Sequence, residues 1–377
     1  MKIFYWAPWI GNVGTIKAVI NSSNILKKYS KNKISTKIID AVGEWHNHQN
    51  FGDFINLTNK KIYNYLPKNG YIKSRFTYFV IFLYSFFPLL KLLKKEKPDY
   101  LIVQLITSLP ILLNLIFNLN TKLILRISGF PKMNFIRVFL WKVASKKIYK
   151  VTFPSYDLYS QFKNLNIFEE NKMQVLYDPI INYKEIIKKK NDEEITYNLA
   201  DEDYILSIGR LTKQKNFLFL VNNFKKIKNK YKNIKLFIIG EGELKKNLEI
   251  QIKNLKLEDD IKLLGFQPNV YKYLKFAKLF ILTSLWEEIG FTIVEAAACN
   301  INILSSNCKN GPREFLQDER GGYLFQNNNS ESFINKFNEF INDNEKKKKE
   351  KKFLAKKETK KFTFLTHYQS LIKILNN

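Results

Sequence analysis

The sequence predicts an α/β protein built from two doubly wound domains, and three observations carry that prediction. The chain has 377 residues, too many for one typical core and about right for two. Apolar residues make up 45%, which is ample for packed interiors and unlike a disordered or collagen-like chain. Short β-rich runs alternate with helical patterns throughout, as in parallel sheets joined by crossover helices.

The first predicted strand is Lys2–Trp6, with a single lysine ahead of its apolar part, and no secretory signal is read at this start. Thr36–Ile39, Tyr100–Leu105, Lys122–Ile127, Lys150–Phe153 and Gln174–Leu176 follow as short apolar or β-branched runs. Helices are predicted between them at Gly14–Tyr29, Thr77–Lys95, Leu109–Asn118, Phe135–Ser145 and Ser155–Asn164. The polar, lysine-rich stretch Asn182–Asp203 reads as a linker. Beyond it, strands are predicted at Tyr204–Ile208, Ile234–Ile239, Ile261–Leu264, Leu279–Leu282 and Asn302–Ser305, with helices in the gaps. The Lys/Glu run Glu345–Lys361 reads as a solvated helix face.

Charge is distributed unevenly. The formal net charge is +28, and lysines outnumber arginines 56 to 6, a bias that an AT-rich gene would also give. Residues 1–150 hold 24 basic and 5 acidic side chains, and no acid occurs from Tyr100 to Lys150. A basic first half beside a balanced second half points to an anionic surface as partner, and an anionic membrane leaflet fits. The run Phe76–Leu90 is too short to span a bilayer and holds Pro88. It reads either as a core-facing helix or as one lying on a membrane. Nucleic acid is not expected as a partner, because aromatic and basic residues do not interleave on a strand pattern. A dinucleotide oxidoreductase is disfavoured, because the glycines after the first strand do not match GxGxxG, although Asp40 stands at the end of the second. Cys299 and Cys308 read as two reduced thiols, and His46 and His48 as part of a polar loop rather than a metal pair.

In doubly wound sheets ligands bind beyond the carboxyl ends of the strands, so the turns there carry the chemistry. Gly11 and Gly14, after the first strand, would let the backbone approach an anion at a helix start. After Tyr204–Ile208 come Gly209, Arg210 and Lys215: a guanidinium fork and an ammonium at a strand-to-helix turn suit a diphosphate. After Leu279–Leu282 come Glu287, Ile289, Gly290, Phe291 and Glu295. The two glutamates, eight residues apart across a glycine turn, suit sugar hydroxyls, and the free N–H groups near Gly290 and Phe291 suit phosphate or sugar oxygens.

In these residues the chain resembles glycosyltransferase family 4. Gly209, Arg210 and Lys215, then Glu287 and Glu295 as E-x7-E, carry the likeness over about 203–325. Ile239–Gly240, Leu264–Gly265–Phe266, Pro312–Arg313–Glu314 and Gly322–Phe325 extend it, as do Lys97–Asp99 and Tyr177–Pro179 more weakly. Arg126 with Gly129 is similar to bacterial enzymes of capsule, lipopolysaccharide or lipid-linked glycan assembly.

The resemblance implies a GT-B fold, with two Rossmann-like domains facing a cleft. Residues 1–182 would be the acceptor side, 183–360 the donor side, and 361–377 a helix crossing back to the first domain. It implies a retaining, metal-independent transfer of a hexose or N-acetylhexosamine from a nucleoside-diphosphate sugar, UDP by family frequency, with no cofactor beyond that co-substrate. Carried over by position, Arg210 and Lys215 would hold the diphosphate and Glu295 the ribose. Glu287 would contact the sugar as the catalytic residue, Gly265 and Phe266 would meet the base, and Gly240, Ile289, Gly290 and Phe291 would complete the donor site. Arg126, Lys132 and Arg137 are candidates for the acceptor's phosphate. A glycan or polyprenyl-diphosphate-linked acceptor would put the enzyme in the cytoplasm, peripheral on the inner face of the membrane. The chain departs from the family pattern at Glu287–Glu288–Ile289, where Glu-Gly-Phe is usual, and has no histidine at the turn after Ile127.

Overall fold

The computed structural model describes the whole chain except residues 11–13, 59–61, 68–70, 192–201 and 377, with the backbone only at 71–74. It divides into two compact units, one formed by Met1–Ile180 together with Phe364–Asn377 and the other by Ile181–Thr363.

The first unit runs β1 (Lys2–Trp6), α1 (Gly14–Tyr29), β2 (Ser35–Asp40), β3 (Phe54–Asn56), α2 (Tyr71–Glu96), β4 (Tyr100–Val103), α3 (Ser108–Phe117), β5 (Lys122–Arg126), α4 (Phe135–Ala144), β6 (Ile148–Phe153), α5 (Tyr156–Asn164) and β7 (Met173–Val175). The second runs α6 (Tyr183–Lys190), β8 (Tyr204–Ile208), α7 (Phe217–Lys230), β9 (Lys235–Ile239), α8 (Lys245–Asn254), β10 (Ile261–Leu263), α9 (Tyr271–Phe276), β11 (Leu279–Leu282), α10 (Phe291–Ala298), β12 (Asn302–Ser306), α11 (Pro312–Phe315), β13 (Tyr323–Phe325), α12 (Ser330–Asn342) and α13 (Glu345–Glu358). The last helix, α14 (Phe364–Asn376), belongs to the first unit.

Both sheets are parallel. Their strand orders are β3-β2-β1-β4-β5-β6-β7 and β10-β9-β8-β11-β12-β13, so each reverses direction once, between β1 and β4 and between β8 and β11. At such a switch point the loops beyond the strand ends diverge and leave room for a ligand. The central strands are buried along nearly their whole length, which is why they read as unbroken apolar runs. Phe4, Trp6 and Phe153 are fully buried, each contributing about 1.5–3 kcal/mol.

α1 forms because Ile16, Val19, Ser23 and Leu26 recur at helical spacing and face the core. α14 packs against α1 and is pinned by His367. The Nδ1 of His367 lies 2.7 Å from the Tyr177 carbonyl, which can only accept, so that nitrogen carries the proton. Its Nε2 therefore accepts from the Ser22 hydroxyl at 2.8 Å, which in turn accepts from Tyr5 at 2.9 Å. Burial pushes the imidazole down to about 4 and keeps it neutral.

Four features differ from the sequence reading. β3 and β13 are short strands of three residues whose pairing, not their pattern, defines them. The linker opens with helix α6, a polar element that buries Ile186 and is tied by Tyr183 to Thr359 and by the Lys189 carbonyl to Asn269; its residues 192–201 lie outside the described ones. α2 begins at Tyr71 rather than Thr77 and continues through Pro88. In α13, Lys351 is buried, not solvated, and its ammonium donates to the carbonyls of Glu319 at 2.6 Å and Gly322 at 2.8 Å. That capture satisfies an otherwise costly buried charge.

Candidate active site

The loops beyond β8, β9, β10 and β11 gather the predicted donor residues of the second unit. The Gly209 N–H donates to Ile239 O at 2.9 Å and the Gly240 N–H to Gly265 O at 2.8 Å, so the three strand ends are laced together by backbone alone. Glycine is required for this approach. A Cβ on Gly240, where φ is +146°, would lie 1.9 Å from the Gly209 carbonyl oxygen. The Gly240 N–H is therefore committed to the scaffold and is not free to donate to a ligand.

Arg210 stands exposed on this ledge, with no partner for its guanidinium among the described residues. Lys215 lies in a short 3₁₀ turn, Lys213–Lys215. Asn216 follows with φ of 55°, so α7 starts two residues later than Lys215 itself. The Thr283 hydroxyl fixes this turn by donating to Lys215 O at 2.9 Å.

Lys215 and Glu287 form an ion pair, their side chains 13% and 7% exposed. The Ser284 hydroxyl donates to the same Glu287 oxygen at 2.6 Å, and Ser306 holds Ser284 in turn through its carbonyl at 2.6 Å. The two groups expected on diphosphate and sugar thus touch each other. Ser284, three residues ahead of Glu287, was not singled out from the sequence; a hydroxyl so placed is a usual way to orient a carboxylate.

Gly290 caps α10 with φ of 84° and offers no side chain, leaving the first N–H groups of the helix uncapped. Glu295 sits in the second turn of α10, 7% exposed, and accepts from the Tyr271 hydroxyl at 3.1 Å. Burial, and after it Glu295, raise the Tyr271 phenol, so it stays protonated and can donate to Glu295. Ile289 is 4% exposed. Its side chain belongs to the core, and only its backbone can meet a ligand. Phe266, at the end of β10, is 73% exposed. The loop is braced from behind at Gly311, whose φ is +99° and whose Cβ would lie 1.5 Å from Glu288 O. Burial pushes the nearby Cys308 thiol up to about 12, so it is inert.

Gly14 opens α1 in the first unit, as expected, while Gly11 lies outside the described residues. Arg126 requires correction as a phosphate ligand. It is 3% exposed, paired with Asp178 at 2.5 Å, and donates to Leu176 O. A guanidinium so enclosed holds the chain's own Leu176–Asp178 segment. Arg137 donates to the Lys132 carbonyl and lies over the Trp141 ring at 5.8 Å, and Lys132 itself is exposed. Among the described residues no three His, Cys, Asp or Glu side chains come together as a metal-binding group.

The fold matches that of Anabaena HepE, solved in complex with UDP, with a TM-score of 0.75 at 15% identity over 100% of both chains. Two Rossmann-like parallel sheets with flanking helices define the GT-B class of glycosyltransferases. The model of "Glycosyl transferases group 1" matches residues 188–358. The chain is also 30% identical over 267 residues to a Campylobacter jejuni protein. That relative is the N-acetylgalactosamine-N,N'-diacetylbacillosaminyl-diphospho-undecaprenol 4-alpha-N-acetylgalactosaminyltransferase, and the match covers 69% of this chain and 71% of it. An uncharacterized glycosyltransferase of Methanocaldococcus jannaschii is 34% identical over 261 residues, 62% of this chain and 61% of that one. The chain belongs to the group 1 glycosyl transferases.

Proposed function

We propose that the protein is a retaining glycosyltransferase that moves a hexose or N-acetylhexosamine from a UDP-sugar to a lipid-linked glycan in bacterial surface polysaccharide synthesis. The observation that carries this reading is the Lys215–Glu287 pair, set between exposed Arg210 and the uncapped start of α10. One charged couple at the end of a parallel sheet offers a cation to phosphate and a carboxylate to sugar hydroxyls. The HepE complex with UDP supports the nucleotide, and the undecaprenol-linked acceptor of the Campylobacter jejuni relative supports the acceptor class.

In the reaction the acceptor oxygen bonds to the anomeric carbon, and the bond from that carbon to the phosphate oxygen breaks. The acceptor's proton passes to the departing diphosphate, and UDP leaves. Attack from the leaving-group side retains configuration. Arg210, Lys215 and the α10 N-terminus stabilise the developing phosphate charge, a role that in this reading needs no metal ion. Glu295 binds the ribose, Phe266 and Gly265 the base. Lys132 and Arg137 remain candidates for the acceptor's phosphate, and such an acceptor places the enzyme at the cytoplasmic face of the membrane.

Calorimetric titration with UDP, GDP and ADP in the presence of EDTA tests the donor site. UDP binding by the wild type, lost in Arg210→Ala, is expected. Binding that needs added metal, or equal binding by the variant, would remove the metal-independent clamp.

A further inference from the structure

The first unit carries a surface that donor chemistry leaves unused. α2 is apolar on two opposite faces. Ile81, Ser85, Leu89 and Leu93, every fourth residue, are buried against the core, while Phe76, Phe79, Leu83 and Phe87 are 58%, 59%, 56% and 74% exposed. α4 repeats the arrangement: Trp141 and Ala144 are buried, and Phe135, Ile136, Phe139 and Val143 are 83%, 75%, 60% and 48% exposed. α3 lies between them in contact with both, on the sheet face that right-handed crossovers assign to all three. Single exposed leucines are ordinary, but eight large apolar side chains on one helical layer mark an interaction surface.

The charge beside this layer selects the partner. A cavity of about 360 Å³ opens just past the C-terminal end of α4. Lys122, Lys146, Lys147 and Lys172 line it with Asn118 and Tyr149, and among the described residues no carboxylate does. Asn118 Oδ1 lies 3.2 Å from Lys147 Nζ, and Ser145 O lies 2.9 Å from Lys172 Nζ, which also pairs with Glu169 at 3.5 Å. β5 and β6 begin at Lys122 and Ile148, so the cavity lies at the strand-entry edge, opposite the edge where such sheets bind substrates. A second copy of the chain would bring like charge against this band, whereas a bilayer with anionic headgroups complements it.

We propose that the α2–α4 layer docks on an anionic bilayer, its exposed aromatic side chains entering the headgroup region and the lysine cavity seating a lipid phosphate. α4 spans about 15 Å, so lying flat it brings Phe135 at one end and Lys146 and Lys147 at the other to the same membrane plane. The docking rests on the lipid-linked acceptor only for its purpose. Vesicle binding is measured with no transfer reaction, so either reading can fail alone.

The test is flotation of the full chain with vesicles of phosphatidylcholine alone, or of phosphatidylcholine with phosphatidylglycerol. Wild type is expected to float with the second only. Phe135→Ser/Phe139→Ser and Lys146→Glu/Lys147→Glu should each lower partitioning more than tenfold, while UDP binding and melting temperature stay at wild-type values. Glycerol phosphate in solution separates the two anion sources. Release of the protein from vesicles by millimolar glycerol phosphate would show a free-phosphate site and overturn the seating of lipid. Equal flotation with neutral vesicles, none with either, or wild-type flotation of both variants would overturn the docking face. Self-association lost in the Phe variant would assign the face to a second copy instead.

Discussion

Glu287→Gln separates two jobs that the wild-type side chain performs together. Its carboxylate neutralises Lys215 and is held by Ser284 at 2.6 Å. A diphosphate approaching Lys215 therefore meets a cation already half cancelled. Glutamine keeps the size and an acceptor oxygen but removes the charge. A unit charge roughly 6 Å from a phosphate, at an effective dielectric of about 20, is worth about 3 kcal/mol. Screening at a site open to water reduces this to about 1–2 kcal/mol, or roughly five- to thirtyfold in affinity. UDP should thus bind more tightly to Glu287→Gln than to wild type. The fold should lose about 1–3 kcal/mol, because a charge-assisted hydrogen bond becomes a neutral one. On the proposed role of Glu287, sugar transfer should also fall, because the carboxylate assigned to the sugar hydroxyls is gone. Calorimetry with UDP, urea unfolding and a transfer assay read the three effects separately, and Lys215→Met should weaken UDP binding as the control. Weaker UDP binding by Glu287→Gln would refute the argument, since it would mean that Glu287 positions Lys215 rather than masking it.

Two further outcomes follow from the backbone and the buried imidazole. Gly311→Ala and Gly240→Ala would place a Cβ 1.5 Å from Glu288 O and 1.9 Å from Gly209 O at positive φ. Each should cost about 3 kcal/mol or more in urea unfolding, and an unchanged midpoint would show that these loops open freely. His367 has its folded pKa lowered to about 4, below the ordinary value of 6.5, so its contribution is whole above pH 6.5 and is lost as pH falls toward 4. Between pH 7 and pH 5 the wild type should lose about 2 kcal/mol from this group. His367→Gln should flatten that part of the stability profile, and an unchanged slope would locate the acid sensitivity elsewhere.

Local pattern determined most of the fold. β1, β8 and β11 appear where their apolar runs stand, because strands buried on both faces need nothing else to be recognised. The candidate donor residues were legible for a related reason: Arg210, Lys215 and Glu287 stand in the turns that follow β8 and β11, and Glu295 in the helix that the second turn opens, on the side where a parallel sheet leaves room for a ligand. What only the tertiary structure decided are relations between distant positions. Lys215 meets Glu287 across 72 residues, and Arg126 meets Asp178 across 52, which turns an expected phosphate ligand into a structural tie. Lys351 is buried by carbonyls 29 and 32 residues away, within a helix whose own sequence reads as solvated. β3 and β13 exist because a neighbouring strand offers its edge to three residues that carry no period of their own. Sequence sets what each segment prefers, but a charge or a short strand takes its meaning from the partner that folding brings to it, and hydrogen bonds and ion pairs act over ångströms, not over sequence distance.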